Sequence, residues 1–323
     1  MTGMKSGLAA LVLVLLFPCV DALAQYPEKP VRLVVPFPPG GPTDLIARVV
    51  AVGVSADLGQ QVVIENKGGA GGNVGTELVA KAKPDGYTLL FGTAATHGIN
   101  ISLYKSLPYD PVKDFEAVAL VGVAPMALLV PPDQPRTLKA LVAKLKAEPG
   151  KWSYASSGNG TTNHLAGELF KTRTGTDVLH VPYRGTGPAL QDLLAGRHAL
   201  MFGTLGPVME NLKAGQLVPL GLMADKRSSV MPDIPTMKEA GLPDFVGGTW
   251  NVVAAPAGTP REIVERLNAA VYKALADPAL AERLKALNME ASEAMSPAET
   301  KAFIEAEIVK WRELVKIAGA NVD

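Results

Sequence analysis

A short β-branched run, Val31-Arg32-Leu33-Val34-Val35, runs straight into Pro36-Phe37-Pro38-Pro39-Gly40-Gly41-Pro42. A helical pattern of apolar residues (Ile46, Val49, Val50, Val54) follows and stops at Gly59. Strand, tight loop and helix in so few residues define a βα unit. Thr43 or Asp44 is placed to cap the helix through a side-chain oxygen. The glycines permit positive φ and let a ligand approach the backbone, while helix-start amides suit an anion. Alone, such a loop is compatible with an ordinary βα connection.

The device recurs about thirty residues on. Residues 61–65 read as a strand, Gly68-Gly69-Ala70-Gly71-Gly72-Asn73-Val74-Gly75 as a glycine loop, and residues 76–82 as a helix with Asn73 as its cap. No Gly-Lys-Ser/Thr follows, so it is not a Walker loop. Counting from Gly69, the third glycine of a dinucleotide fingerprint falls on Val74. Two such loops together point to a backbone-lined anion site at strand ends.

The rest of the chain alternates in the same way. Residues 87–92 form a strand that enters a polar loop at 93–100. Residues 118–130 form a long β-like run broken by Pro125, which leaves one domain and enters another. Thr137 caps a helix to residue 147, and a strand at 152–156 leads through a Gly/Ser/Thr loop at 157–164 into a helix. Strands at 178–183, 199–202 and 218–223 alternate with helices at 188–195 and 207–214. Residues 250–255 form the return crossing, and from Pro260 the chain is nearly all helical, its last helix opening at Ser296-Pro297 and ending near residue 318. This alternation predicts an α/β fold with parallel sheets.

The 323 residues suffice for two domains, and at 48% hydrophobic and 19% charged they can bury a large core. Thirty-one basic residues balance thirty-one acidic ones with no basic stripe, which argues against nucleic acid as a partner. Lys5, the apolar run at 8–17 and Ala22-Leu23-Ala24 form a secretory signal, with cleavage expected after Ala24. The single cysteine, Cys19, lies inside it, so the mature chain is expected to have neither disulfides nor thiol chemistry. Phe17-Pro18 before that cysteine does not suit lipidation.

The loops at 37–44, 68–76 and 156–164 are expected to line a cleft between two domains, and they offer amides and hydroxyls rather than a nucleophile beside a base. His97, His164, His180 and His198 lack metal-ligand spacing. Ala155-Ser156-Ser157-Gly158 is not a nucleophile elbow. No cofactor or metal is expected.

Several motifs now coincide in order: Tyr26-Pro27, Val35-Pro36-Phe37-Pro38-Pro39-Gly40-Gly41 with Asp44, residues 66–75 with Pro84-Asp85-Gly86-Tyr87, Tyr154-Ala155-Ser156-Ser157-Gly158-Asn159-Gly160, Val181-Pro182-Tyr183-Arg184-Gly185, Lys226-Arg227-Ser228 with Pro232-Asp233-Ile234-Pro235, and Ala255-Pro256-Ala257-Gly258-Thr259-Pro260. In this order they resemble the Bug/TctC family of periplasmic solute-binding receptors, over essentially the whole mature chain.

The resemblance implies a two-domain periplasmic-binding-protein fold, type II-like, with a hinge and an interdomain ligand cleft. The signal peptide would be 1–24, the first domain 25–124 with 250–323, and the second 125–249. It implies a non-enzymatic, monomeric receptor. This would capture a small carboxylate (a di- or tricarboxylate, an acidic amino acid or an aromatic acid) for the membrane subunits of a tripartite tricarboxylate transporter. A secreted enzyme or a sensor receptor on the same fold are the alternatives. Carried over by position, the ligand-binding residues would be Phe37, Pro39, Gly40, Gly41, Thr43 and Asp44 from the first loop and Ala70, Gly71, Gly72 and Asn73 from the second. Thr93, Ser156, Ser157, Asn159, Thr161, Arg184 and Thr204 complete the set. Two departures stand out: Arg197-His198-Ala199 replaces a Gln-Val-Asp common in the family, and Gly203-Thr204 stands where Asp or Asn is frequent.

Overall fold

The computed structural model describes residues 26–228 and 230–320; the signal segment and its cleavage site lie outside them. The chain opens with β1 (Val31–Val35), α1 (Pro42–Leu58), β2 (Val62–Asn66), α2 (Asn73–Ala80) and β3 (Thr88–Thr93). β1 pairs in parallel with both β2 and β3, as βα units require. The expected polar loop at 93–100 is instead a π turn, Ala95–Ile99, running into the short α3 (Asn100–Leu103). Tertiary contacts decide this: Ile99 and Leu103 are buried, and the Tyr109 hydroxyl donates to the Thr96 carbonyl at 2.9 Å.

β4 (Phe115–Val130) is one continuous strand, about 50 Å long at the usual rise. Pro125 does not break it. That residue sits opposite Gly248, where β4 gives up its partner β9 (Gly248–Pro256) and takes on two others, and a missing N–H is tolerated at such a change of partner. From Met126 onward β4 pairs with β7 (Leu200–Thr204) and from Ala127 with β8 (Val218–Leu222). Between lie α4 (Leu138–Ala147), capped by Thr137 as expected, β5 (Ser153–Ser156), α5 (Thr162–Thr174), β6 (Leu179–Pro182), α6 (Thr186–Leu194) and, after β7, α7 (Met209–Lys213). The carboxy-terminal part holds α8 (Arg261–Leu275), α9 (Pro278–Ala286), the two-residue β10 (Glu290–Ala291) and α10 (Pro297–Ala318).

The sheet order is β2-β1-β3-β9-β4-β7-β5-β6, with β8 and β10 also on β4. It is mixed rather than parallel, because β9 runs antiparallel to both β3 and β4, and β4 antiparallel to β7. Strand–helix alternation reports only the parallel units; the two long crossings run in opposite directions.

One core gathers β1, α1 and α8 through Val31, Ile46, Val50, Leu267 and Val271. A second gathers β7 and α6 through Leu190, Leu193 and Met201. α10 bridges the halves: its Ile308 and Trp311 share a cluster with Leu165 and Phe170 of α5 and with Trp250 of β9. Each such side chain stabilises the arrangement by roughly 1.5–3 kcal/mol on burial. Ser296 and Glu299 form a complete capping box at the start of α10.

Candidate ligand-binding cleft

A cavity of about 100 Å³ opens where the two halves face each other across the β4–β9 crossings. One side is built by Phe37, Pro38, Pro39 and Gly41 of the β1–α1 loop and Pro42 and Thr43 at the start of α1, with Thr93 at the end of β3 and Ala95 just after it. The other carries Ser157, Thr161, Thr162 and Asn163 at the start of α5, and Gly185, Thr186, Gly187 and Pro188 at the start of α6. Met126, Gly203, Thr204 and Thr249, from the adjoining strands β4, β7 and β9, complete the wall. Among the described residues, no charged side chain lines it.

Three helices therefore point their amino ends at one small volume. α1 starts at Gly41 and α6 at Gly185, both without a side-chain cap. At α5 the Thr161 hydroxyl caps only the His164 amide. The amides of Thr43, Thr162, Asn163, Thr186 and Gly187 have no protein acceptor among the described residues. These are the orphan donors every helix start leaves, here gathered around a cavity, with the positive ends of three macrodipoles behind them. The Asn163 Oδ1 accepts from the hydroxyls of Ser157 and Thr161, which leaves its Nδ2 free to donate.

The expected side-chain caps are not used. Asp44 is the third residue of α1, and its carboxylate accepts from the Gly40 amide at 2.9 Å, Arg48 Nε at 2.9 Å and Asn66 Nδ2 at 3.0 Å. Burial pushes this carboxyl up, but those hydrogen bonds outweigh it, and the net shift is downward. Pro42 at the first helical position replaces the side-chain cap, since it has no amide to satisfy. Asn73 likewise opens α2 from inside, and its Oδ1 accepts from Asn100 Nδ2 at 2.6 Å and the Tyr109 hydroxyl at 3.0 Å.

Of the anticipated residues, Phe37, Pro39, Gly41, Thr43, Thr93, Ser157, Thr161 and Thr204 come together on the wall. Gly40 and Asp44 stand behind it, fastening the first loop. The second glycine loop does not reach the cavity. Its glycines let the first loop pack: a Cβ on Gly72 would come within 3.2 Å of the Phe37 ring, and one on Gly68 within 3.1 Å of Pro38. Ala70 is exposed at positive φ, and Gly71 abuts the Asn159 carbonyl of the loop between β5 and α5. Asn159 also accepts from the Tyr104 hydroxyl at 3.0 Å. Arg184 is exposed and outside the wall.

Ser156 is fully buried under its loop, where its Oγ pairs with His180 Nε2 at 2.7 Å. The His180 ring stacks between Tyr154 and His164 at centroid distances of 4.8 and 4.2 Å. Burial first, then the neighbouring His164 and Lys171, push the His180 imidazole down to about 3. The pair supplies no cation to the cleft.

The family profile described as "TctC: Tripartite tricarboxylate transporter family receptor" matches residues 46–320. The chain belongs to the TctC family. It is 40% identical over 299 residues to Protein BugT of Bordetella pertussis, spanning 92% of this chain and 91% of that one. MatC from Rhodopseudomonas palustris, solved with bound malate, superposes with a TM-score of 0.86 at 36% identity, covering 90% of this chain and 100% of that one. An R. palustris protein solved with adipate gives a TM-score of 0.89 at 37% identity, covering 92% and 100%. The α/β fold is thus the two-domain fold of periplasmic binding proteins, and this TctC chain is a solute-binding receptor.

Sequence reasoning missed part of this receptor's wall. Gly185-Thr186-Gly187-Pro188 is a further strand-to-helix glycine loop, legible by the same signal as the first two. Met126 and Thr249 carried no local signal, because they line the cavity only through strand pairing.

Proposed function

We propose that this TctC receptor captures a short-chain carboxylate in the interdomain cavity and hands it to the membrane subunits of a tripartite tricarboxylate transporter, without a reaction of its own. The observation that carries the reading is the set of orphan amides at three helix starts around a cavity with no charged side chain. Such a site holds an anion through charge-assisted hydrogen bonds rather than ion pairs. The cavity, about 100 Å³, suits a small solute. Relatives solved with malate and adipate support that size and chemistry. The mature receptor, cleaved after Ala24, closes by hinging residues 25–124 with 250–323 against 125–249 about the β4 and β9 crossings.

Calorimetry with succinate and adipate and their monoamides tests the reading. Each charge-assisted bond is worth roughly 1.5–3 kcal/mol, so converting one carboxylate to its neutral amide should weaken binding at least tenfold. Amides that bind as tightly as the acids would refute the carboxylate reading.

A further inference from the structure

Asn163 is the second residue of α5 and lines the cavity at 6% exposure. Its Oδ1 accepts from the Ser157 hydroxyl at 2.9 Å and the Ser157 amide at 3.4 Å, with the Thr161 hydroxyl beside it. A main-chain N–H can only donate, so the atom turned toward Ser157 is the oxygen and the atom turned away is Nδ2. Among the described residues Nδ2 has no hydrogen-bond partner, and unlike the Thr204 hydroxyl it is not sealed from solvent. The loop thus holds the carboxamide with its donor outward, and a donor fixed in advance loses little rotamer freedom when it binds.

That orientation sorts the groups a ligand can bring to the start of α5. The free amides of Thr162 and Asn163 stand beside Nδ2, and all of them donate. A carboxylate there meets only donors. An ammonium group would lose its water, face the same donors and find no counter-charge, since no acid among the described residues lines the wall. Turning such a ligand round does not help. The start of α1 also offers a free amide, and its acid, Asp44, is committed to Gly40, Arg48 and Asn66.

We infer that Asn163 is a specificity-determining residue whose locked carboxamide donates to one end of a linear diacid and rejects the ω-amino acid in which an ammonium group replaces one carboxylate. The inference rests on the carboxylate reading above and narrows it to ligands with an acceptor at each end.

Calorimetry on two matched pairs of probes tests it: succinate with 3-aminopropanoate, and adipate with 5-aminopentanoate. In at least one pair the wild type should bind the diacid at least tenfold more tightly. Asn163→Leu has a similar shape without the donor and should weaken that diacid about tenfold, the scale of one hydrogen bond to a charged group. Asn163→Asp keeps an oxygen for Ser157 and turns a second one into the cavity. It should shift the ratio of the two affinities about a hundredfold toward the amino acid, one tenfold step for the repelled carboxylate and one for the paired ammonium. A negative charge in the first turn suits the helix dipole, so denaturant unfolding should show this variant at least as stable as the wild type. Asn163→Ala takes the place of the leucine variant should that one fail to fold. If the diacids bind but the uncharged variant loses nothing, or the aspartate variant keeps the wild-type preference, the inference falls and the carboxylate reading stands. If no diacid binds the wild type, both readings fall.

Discussion

Gly71→Ala separates loop strain from cleft closure. Gly71 has φ +63°, and a Cβ there would lie 2.4 Å from the Asn159 carbonyl oxygen and 2.9 Å from the Tyr104 hydroxyl. The variant thus carries two costs. A left-handed alanine costs about 1–2 kcal/mol wherever the loop keeps its shape, open or closed. The clash with the Asn159 carbonyl costs free energy only when the two loops meet. The carbonyl is backbone and stands about 1 Å inside the 3.4 Å at which contact is ordinary, so the loops must part. Overpacking of this kind costs roughly 1–3 kcal/mol, which lowers the closed population and weakens apparent affinity by about 5- to 150-fold.

Gly59→Ala is the control. Its φ is +68° and nothing lies within 4 Å of the added Cβ, so it carries the strain without the clash. Denaturant unfolding should show a similar loss of stability in both variants. Calorimetry with malate and adipate should show weakened binding only in Gly71→Ala, and small-angle scattering with ligand should show it more extended than the wild type. If the two variants bind equally well, the contact between Gly71 and Asn159 has no part in closure, and the argument from the loops is refuted.

Ser156→Ala leaves His180 Nε2 without its partner, so it should cost roughly 1–3 kcal/mol of stability. An affinity loss with unchanged unfolding would instead put that hydroxyl on the ligand. Acid should destabilise the fold well above the carboxylate range: burial holds His97 neutral, with its pKa pushed down to about 3, whereas the unfolded chain takes up that proton near pH 6.5. Stability from this group is complete above about pH 6.5 and lost as pH falls, by about 2 kcal/mol at pH 5. Chemical denaturation at pH 7.5 and pH 5 checks this, and equal midpoints with equal slopes would refute it.

Local sequence specifies the units whose geometry depends on near neighbours along the chain. The β-branched run at 31–35, the Pro/Gly punctuation after it and the spacing of Ile46, Val49, Val50 and Val54 yield β1 and α1 without help from the rest of the molecule. Thr137, Thr161 and Ser296 cap their helices through bonds spanning three residues, and such bonds are written in local sequence. The glycine loops were legible for the same reason, and so was the kind of donor they offer.

Tertiary packing decided which loop faces the cavity and which one braces it. Residues 68–75 carry the densest glycine signal, yet those glycines serve the close approach of Phe37, Pro38 and Pro36. A glycine signal records that something comes near the backbone, and ligand and protein leave the same mark. Met126, Thr204 and Thr249 meet because β4, β7 and β9 lie side by side, though they come from distant points on the chain. Among the described residues the Thr204 hydroxyl has no hydrogen-bond partner, a property of that meeting. A side chain's unmet hydrogen bond depends on everything packed around it, and only the folded arrangement specifies those neighbours.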